Sequence, residues 1–146
     1  MIKPCVYTES LSPDVPRALE LAEELGVYNV DLRALYGHSL SDITDDEVDR
    51  IRRVVQERPV EISCLSAVVF GKGLTIDDDE LYRDQLTTFR RMVEVCVELE
   101  VPLLRIFSID KPNAEVWNDR PGPASYLDKL VARLEPAVRI AESAGV

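Results

Sequence analysis

Asp31 and Arg33 stand two residues apart at the end of the apolar run VYNVDL, residues 27–32. Alternate side chains of a strand share a face, so this carboxylate and guanidinium point the same way. Such a pair either orients a ligand hydroxyl or closes on itself as an internal ion pair. The only histidine, His38, follows in the turn Tyr36-Gly37-His38. Its near-neutral pKa suits it to carry a proton or bond a ligand oxygen, although a lone loop His with no visible partner is more often simply exposed. Lys72 lies between Gly71 and Gly73. The flanking glycines free the backbone to bend, so the ammonium either reaches over an anionic or polyhydroxylated ligand or sits on a mobile surface loop. Arg105 is embedded in the run PLLRIF, residues 102–107, where an unpaired charge is costly. It therefore needs a ligand oxygen or a structural partner, Asp31 or Glu61. Trp117, in the long loop 108–122, supplies either an apolar wall or an anchor for that loop. Glu9, after the first apolar run, reads as a mouth-facing carboxylate or a solvated one.

Composition limits what these residues can serve. The chain has 146 residues, 46% of them hydrophobic, enough for one domain with a real core. We take residues 1–146 as a single domain. A formal net charge of -10 disfavours duplex nucleic acid and anionic membrane surfaces, which are bound through clustered Lys and Arg. No run approaches ~18 apolar residues, and the N-terminus has no long apolar segment, so the expectation is a cytoplasmic protein. Cys5, Cys64 and Cys96 are widely spaced within apolar runs, which predicts buried, reduced thiols and no zinc site.

The elements that must position the candidates follow from periodicity. Strand-like runs CVYT (5–8), VYNVDL (27–32), VEISCLSAVVF (60–70) and PLLRIF (102–107) alternate with longer segments of helical period. That alternation is the pattern of α/β architecture, and runs this apolar predict parallel strands covered on both faces. Helix starts are expected at Ser12-Pro13, at Thr44 with Glu47, and at Asp77 with Glu80. Apolar faces then run through Leu19, Ala22 and Leu25; Val48, Ile51 and Val55; Leu86, Phe89, Val93 and Val97. A fourth helix, from about Ser125 to Ala144, carries Pro136, which should kink or split it. The segments LAEELGV (21–27), VCVELEV (95–101) and IAESAGV (140–146) share one helix-exit pattern. Val27, Val60, Val101 and Val146 thus fall 33, 41 and 45 residues apart, each step the size of one βα unit. Four units and the threshold of a fifth strand make either a small doubly wound sheet or the front half of an eight-unit barrel.

VDLRALYGHSLSDITDDEVDRIRRVV, residues 30–55, resembles the second βα unit of the sugar phosphate isomerase/epimerase family of xylose-isomerase-like TIM barrels. ISCLSAVVFGKGL, 62–74, is similar to that family's third strand and Gly-Lys loop, and LLRIFSI, 103–109, to its fourth strand. The chain departs from the family at Ala67-Val68, where Ser-Pro is common, and at His38-Ser39. The resemblance implies a partial TIM barrel, a (βα)4 half of parallel strands ending at the threshold of a fifth. It implies a carbohydrate substrate and proton transfer at a carbon next to a carbonyl. A divalent metal, Mn, Mg, Zn or Co, is expected in the complete barrel, with ligands mostly from strands five to eight and none on this chain. Substrate contacts are expected from His38, Lys72, Arg105, Asp31, Arg33 and Trp117, with the catalytic acids elsewhere and this chain alone silent.

Other readings stay open. A non-catalytic α/β binding module, or a half-barrel that pairs with a second copy as a homodimer, would cover bare strand edges and an apolar interior. An apurinic-site endonuclease-like hydrolase shares the fold, but the acidic chain offers no basic stripe. A dehydrogenase-like cofactor domain lacks its GxGxxG, and the Gly-Lys loop lacks P-loop spacing.

Overall fold

The computed structural model describes residues 2–71, 73–109 and 123–146. In chain order the elements are β1 (Cys5–Tyr7), α1 (Val15–Glu24), β2 (Asn29–Leu32), a hairpin of β3 (Ala34–Leu35) and β4 (His38–Ser39), α2 (Asp45–Gln56), β5 (Glu61–Ser66), α3 (Asp79–Glu98), β6 (Leu104–Arg105) and α4 (Pro123–Ala144). Strands β1, β2, β5 and β6 form one sheet in that order, every pair parallel. A helix returns the chain between each neighbouring pair, so the expected succession of βα units is present.

Local chemistry explains where each helix begins. Thr44 and Glu47 cap one another as expected: the Glu47 amide donates to Thr44 Oγ1 at 3.3 Å and the Thr44 amide to Glu47 Oε2 at 2.8 Å. Two other starts differ from expectation. The carboxylate of Asp14, not the hydroxyl of Ser12, accepts from the Arg17 amide at 3.1 Å, and Ser12 instead holds the Asp14 amide. Asp78, not Asp77, accepts from the Leu81 amide at 2.9 Å. In each case the capping residue is the last extended one before the helix, which puts its carboxylate within reach of the first free N–H groups. The final helix runs through Pro136 unsplit.

The helix exits share one geometry. Gly26, Glu100 and Gly145 have φ of 69°, 57° and 78°, and the amides of Val27, Val101 and Val146 return to Ala22, Cys96 and Ala141 at 2.9, 2.8 and 3.0 Å. This is the Schellman arrangement, written three times by the exit pattern. Glu100 adopts it without the freedom of glycine.

Burial divides the sheet into two unlike faces. Val30, Leu32, Ile62 and Leu65 are buried against Leu19, Ala22, Val48, Ile51, Met92, Val93 and Cys96 of the helices. Each large aliphatic side chain so covered contributes roughly 1.5–3 kcal/mol. Asn29 and Asp31 alternate with Val30 and Leu32 and are half-buried on the other face. There Ser63 Oγ donates to Asn29 Oδ1 at 3.1 Å, and the β2–β5 register shifts between Val30 and Asp31. The open face is therefore polar, where an apolar interior was expected, and the regular strands are shorter than the apolar runs. Residues 67–70 carry that apolarity into the loop, where Ala67, Val69 and Phe70 are buried without belonging to a strand. Leu25 and Val97 are exposed rather than on the buried faces, while Met92, Val95 and Cys96 are buried. Cys5 is exposed and Cys64 half-buried, because both lie on strands with one uncovered face; only Cys96 is fully buried, and its thiol is pushed up to about 12 by burial.

Candidate functional site at the strand ends

The register brings Tyr7, Asp31 and Cys64 into one row and Ser66 opposite Arg105. These are the C-terminal ends of the parallel strands, where ligands meet α/β sheets. Ser66, fully buried, donates from Oγ to Asp31 Oδ2 at 2.8 Å, and Cys64 Sγ lies 3.9 Å from the same hydroxyl. Asp31 Oδ1 is buried with no protein partner. Burial pushes the Asp31 carboxyl above the usual carboxylate range, against the opposing pull of the Ser66 and Cys64 hydrogen bonds and the positive charge of Arg105.

Arg33 does not pair with Asp31. Its Nε donates to Glu9 Oε1, and its guanidinium lies 5.0 Å from the centroid of the Tyr7 ring. Glu9 follows β1, the strand beside β2, so its carboxylate meets Arg33 while Asp31 turns to Ser66 on the other side. Glu9 Oε2 is, like Asp31 Oδ1, a buried oxygen without a partner. The site thus presents two orphaned acceptors, each on a carboxylate whose other oxygen is held. A buried acceptor left unpaired costs about 1–3 kcal/mol, so both call for a donor from outside the protein.

Arg105 stacks over the Phe107 ring with its guanidinium 4.3 Å from the centroid. Of its two expected structural partners, Glu61 lies at the other end of β5 with Lys3 at 4.0 Å. Asp31 feels the charge of Arg105. Phe107 is fixed from the loop after β5: its amide donates to Val69 O at 2.9 Å, and a Cβ on Gly71 would come within 3.1 Å of the Phe107 Cβ. Phe70 has φ 64° and its amide donates to Gln85 Oε1 at 2.9 Å.

His38 is engaged within the chain. Nε2 lies 2.9 Å from Glu47 Oε1 and Nδ1 3.0 Å from the Ser39 carbonyl. Lys72 and Trp117 lie outside the described residues. The structure thus brings together Asp31 and Arg105, sets Arg33 beside them through Glu9, and commits His38 to the hairpin and α2. Sequence reading missed Ser66 and the pairing of Glu9 with Arg33. The Ser66 signal was its place two residues past Cys64, with the polar side chains of the strand.

Among the described residues no three His, Cys, Asp or Glu side chains gather closely enough to hold a metal ion. Glu9 and Asp31 each commit one oxygen to a protein donor, so they do not form the donor set of a divalent cation by themselves. A cavity of about 300 Å³ opens at the opposite end of the sheet, lined by Ile2, Lys3, Tyr28, Pro59 and Glu61 among others. Among the described residues no helix is long and apolar enough to cross a membrane.

The same architecture occurs in solved structures. A D-tagatose 3-epimerase-like protein superposes with a TM-score of 0.72 at 16% identity, covering 99% of this chain and 51% of that one. D-psicose 3-epimerase from Clostridium cellulolyticum H10, solved with D-tagatose, gives 0.71 at 11% identity over 99% of this chain and 50% of that one. L-ribulose 3-epimerase gives 0.63 at 14% identity over 100% and 48%. At these identities the likeness is one of fold, and the chain spans about half the length of each. No curated protein matches the chain. Residues 19–146 match the family described as xylose isomerase-like TIM barrel. With four parallel βα units, polar strand ends and that match over most of its length, the chain belongs to the xylose isomerase-like TIM barrel family.

Proposed function

We propose that this chain forms a (βα)4 half of a sugar epimerase or isomerase, and that its open strand face is part of the wall against which the sugar lies. The observation that carries this reading is the pair of buried, unpartnered oxygens, Asp31 Oδ1 and Glu9 Oε2, at the C-terminal strand ends. Sugar hydroxyls are donors of the kind both atoms lack. Arg33 and Arg105 supply N–H donors for carbonyl or ring oxygens, and the Tyr7 and Phe107 rings beneath them offer apolar faces. Lys72 and Trp117, which lie outside the described residues, stay in the proposed set of substrate contacts. His38 enters the proposal by fixing the hairpin that follows Asp31 and Arg33.

The reaction proposed for the complete barrel moves a proton at the carbon next to a carbonyl. This half binds and orients the sugar and excludes water beneath it. The groups that move the proton, and the ligands of the divalent cation the family resemblance implies, belong in this reading to the other half. Free and phosphorylated sugars both fit it, in a cytoplasmic setting. Joining the chain to the C-terminal half of the D-tagatose 3-epimerase-like barrel and incubating it with a ketohexose in D2O tests the proposal. Deuterium should enter next to the carbonyl, and Asp31→Ala and Arg105→Ala should each slow its entry at least several-fold. Undiminished exchange in both variants would remove these residues from the sugar site.

A second reading rests on the bare edges: β1 and β6 each have one neighbour in the described sheet. Two copies could close a barrel edge to edge. With -10 on each copy, their association should strengthen as salt rises, which sedimentation at low and high ionic strength checks.

A further inference from the structure

We propose that His38, with both ring nitrogens protonated, is a latch that holds the β3–β4 hairpin against the N-terminus of α2 and loosens when the ring loses a proton. The chemistry of its two partners carries this inference. A backbone carbonyl only accepts, so the 3.0 Å contact to Ser39 O requires a proton on Nδ1. An ionised carboxylate only accepts, so the 2.9 Å contact to Glu47 Oε1 requires one on Nε2. A neutral imidazole carries a single N–H and must surrender one of the two bonds, leaving a lone pair facing an oxygen.

Protonated on Nε2 alone, the ring keeps Glu47 and loses Ser39. Protonated on Nδ1 alone, it keeps Ser39 and turns a lone pair on Glu47, which is not free to swing away. Its other oxygen, Oε2, accepts from the Thr44 amide and the Thr44 hydroxyl, both at 2.8 Å, and these bonds start α2. Leu35, fully buried, and Leu40, buried just beyond β4, also hold the hairpin. Its two rungs are Ala34 with Ser39 and Leu35 with His38, and its turn puts the non-glycine Tyr36 at φ 53°. The Tyr36 amide donates to Pro13 O at 2.8 Å and the Leu40 amide to Arg33 O at 3.2 Å. The charged groups around the ring are Glu47 from α2 and Asp42 from the turn after β4. Farther along α2, Arg50 stacks on Tyr36 at 5.1 Å and lies 3.6 Å from Asp14 at the start of α1. The near charges are thus both acidic.

Physical direction agrees with the geometry. The Glu47 hydrogen bond and then the Ser39 carbonyl hold His38 above the ordinary imidazole range. A histidine raised in the fold contributes stability fully present below its unfolded value near 6.5 and lost as pH rises through the folded one. The latch is therefore closed below the ordinary imidazole range and loosens as pH rises through the folded value. Because His38 is the only histidine, its ring proton gives one unambiguous NMR signal.

The test follows that signal from pH 5 to 9 on the chain itself, with hydrogen-exchange protection of the Tyr36 and Leu40 amides measured at each pH. We expect a midpoint above 6.5 and a several-fold loss of protection at both amides through the same midpoint. Glu47→Gln should return the midpoint to the ordinary value or below, and His38→Gln should show the low protection at every pH. A wild-type midpoint at or below 6.5, or protection unchanged across the transition, would overturn the latch. If Glu47→Gln fails to fold for want of its cap, the wild-type titration and His38→Gln decide the matter alone.

Discussion

The hydroxyl of Ser66, on β5, donates to one carboxylate oxygen of Asp31, on β2, at 2.8 Å and leaves the other oxygen buried and unpartnered. The bond crosses between neighbouring parallel strands at their C-terminal ends, and it fixes which oxygen of Asp31 is held. Replacing Ser66 with Ala should leave the Asp31 carboxylate only the weak thiol donor of Cys64. We expect a loss of about 1–3 kcal/mol in urea unfolding at neutral pH, since a buried acceptor would forfeit its bond. Unfolding curves that superpose on wild type would mean the bond does not hold the carboxylate.

Asp31 also makes stability depend on pH in a set direction. Its folded pKa is raised, chiefly by burial, so its contribution is fully present below the unfolded value near 3.9 and is lost as pH rises through the folded value. Asp31→Asn keeps an acceptor for Ser66 but does not ionise. Wild type should therefore lose stability relative to Asp31→Asn between pH 4 and pH 7, measured by urea unfolding at each pH. A constant difference between the two proteins would show that Asp31 titrates as it does in the unfolded chain.

Glu100 occupies the left-handed position that Gly26 and Gly145 fill at the other two helix exits, with φ 57°. A residue with a Cβ pays roughly 1–2 kcal/mol for that conformation. Glu100→Gly should stabilise the chain by up to about 1 kcal/mol, after the entropy that glycine adds to the unfolded state is offset. Thermal unfolding checks it, and a lowered Tm would show that the Glu100 side chain contributes more than its backbone costs.

The legibility of this chain in its sequence divides by range. The βα succession, the Thr44-Glu47 cap and the helix exits were readable because each depends on neighbours a few residues apart. The helix starts at Asp14 and Asp78 were missed by one or two positions, since adjacent Ser, Pro and Asp residues all suit a cap and only the backbone path chooses among them. The polar face was hidden because Ser63, Cys64 and Ser66 sit among Ile62, Leu65 and Ala67, and composition does not say which alternate side chains meet helices. Arg33 was read with Asp31, two residues away, while its partner is Glu9 on the neighbouring strand. Pairings between strands are set by register, which a single sequence records only faintly.

The central claim is that the C-terminal strand ends, and not the cavity at the other end of the sheet, face the sugar. Titration of the isotopically labelled chain with D-tagatose or D-fructose, followed by amide NMR, tests it most directly. The account predicts shifts concentrated at Asp31, Ser66 and Arg105 that disappear in a folded Asp31→Ala variant. Shifts confined to Lys3, Tyr28 and Glu61, or identical shifts in wild type and Asp31→Ala, would contradict it.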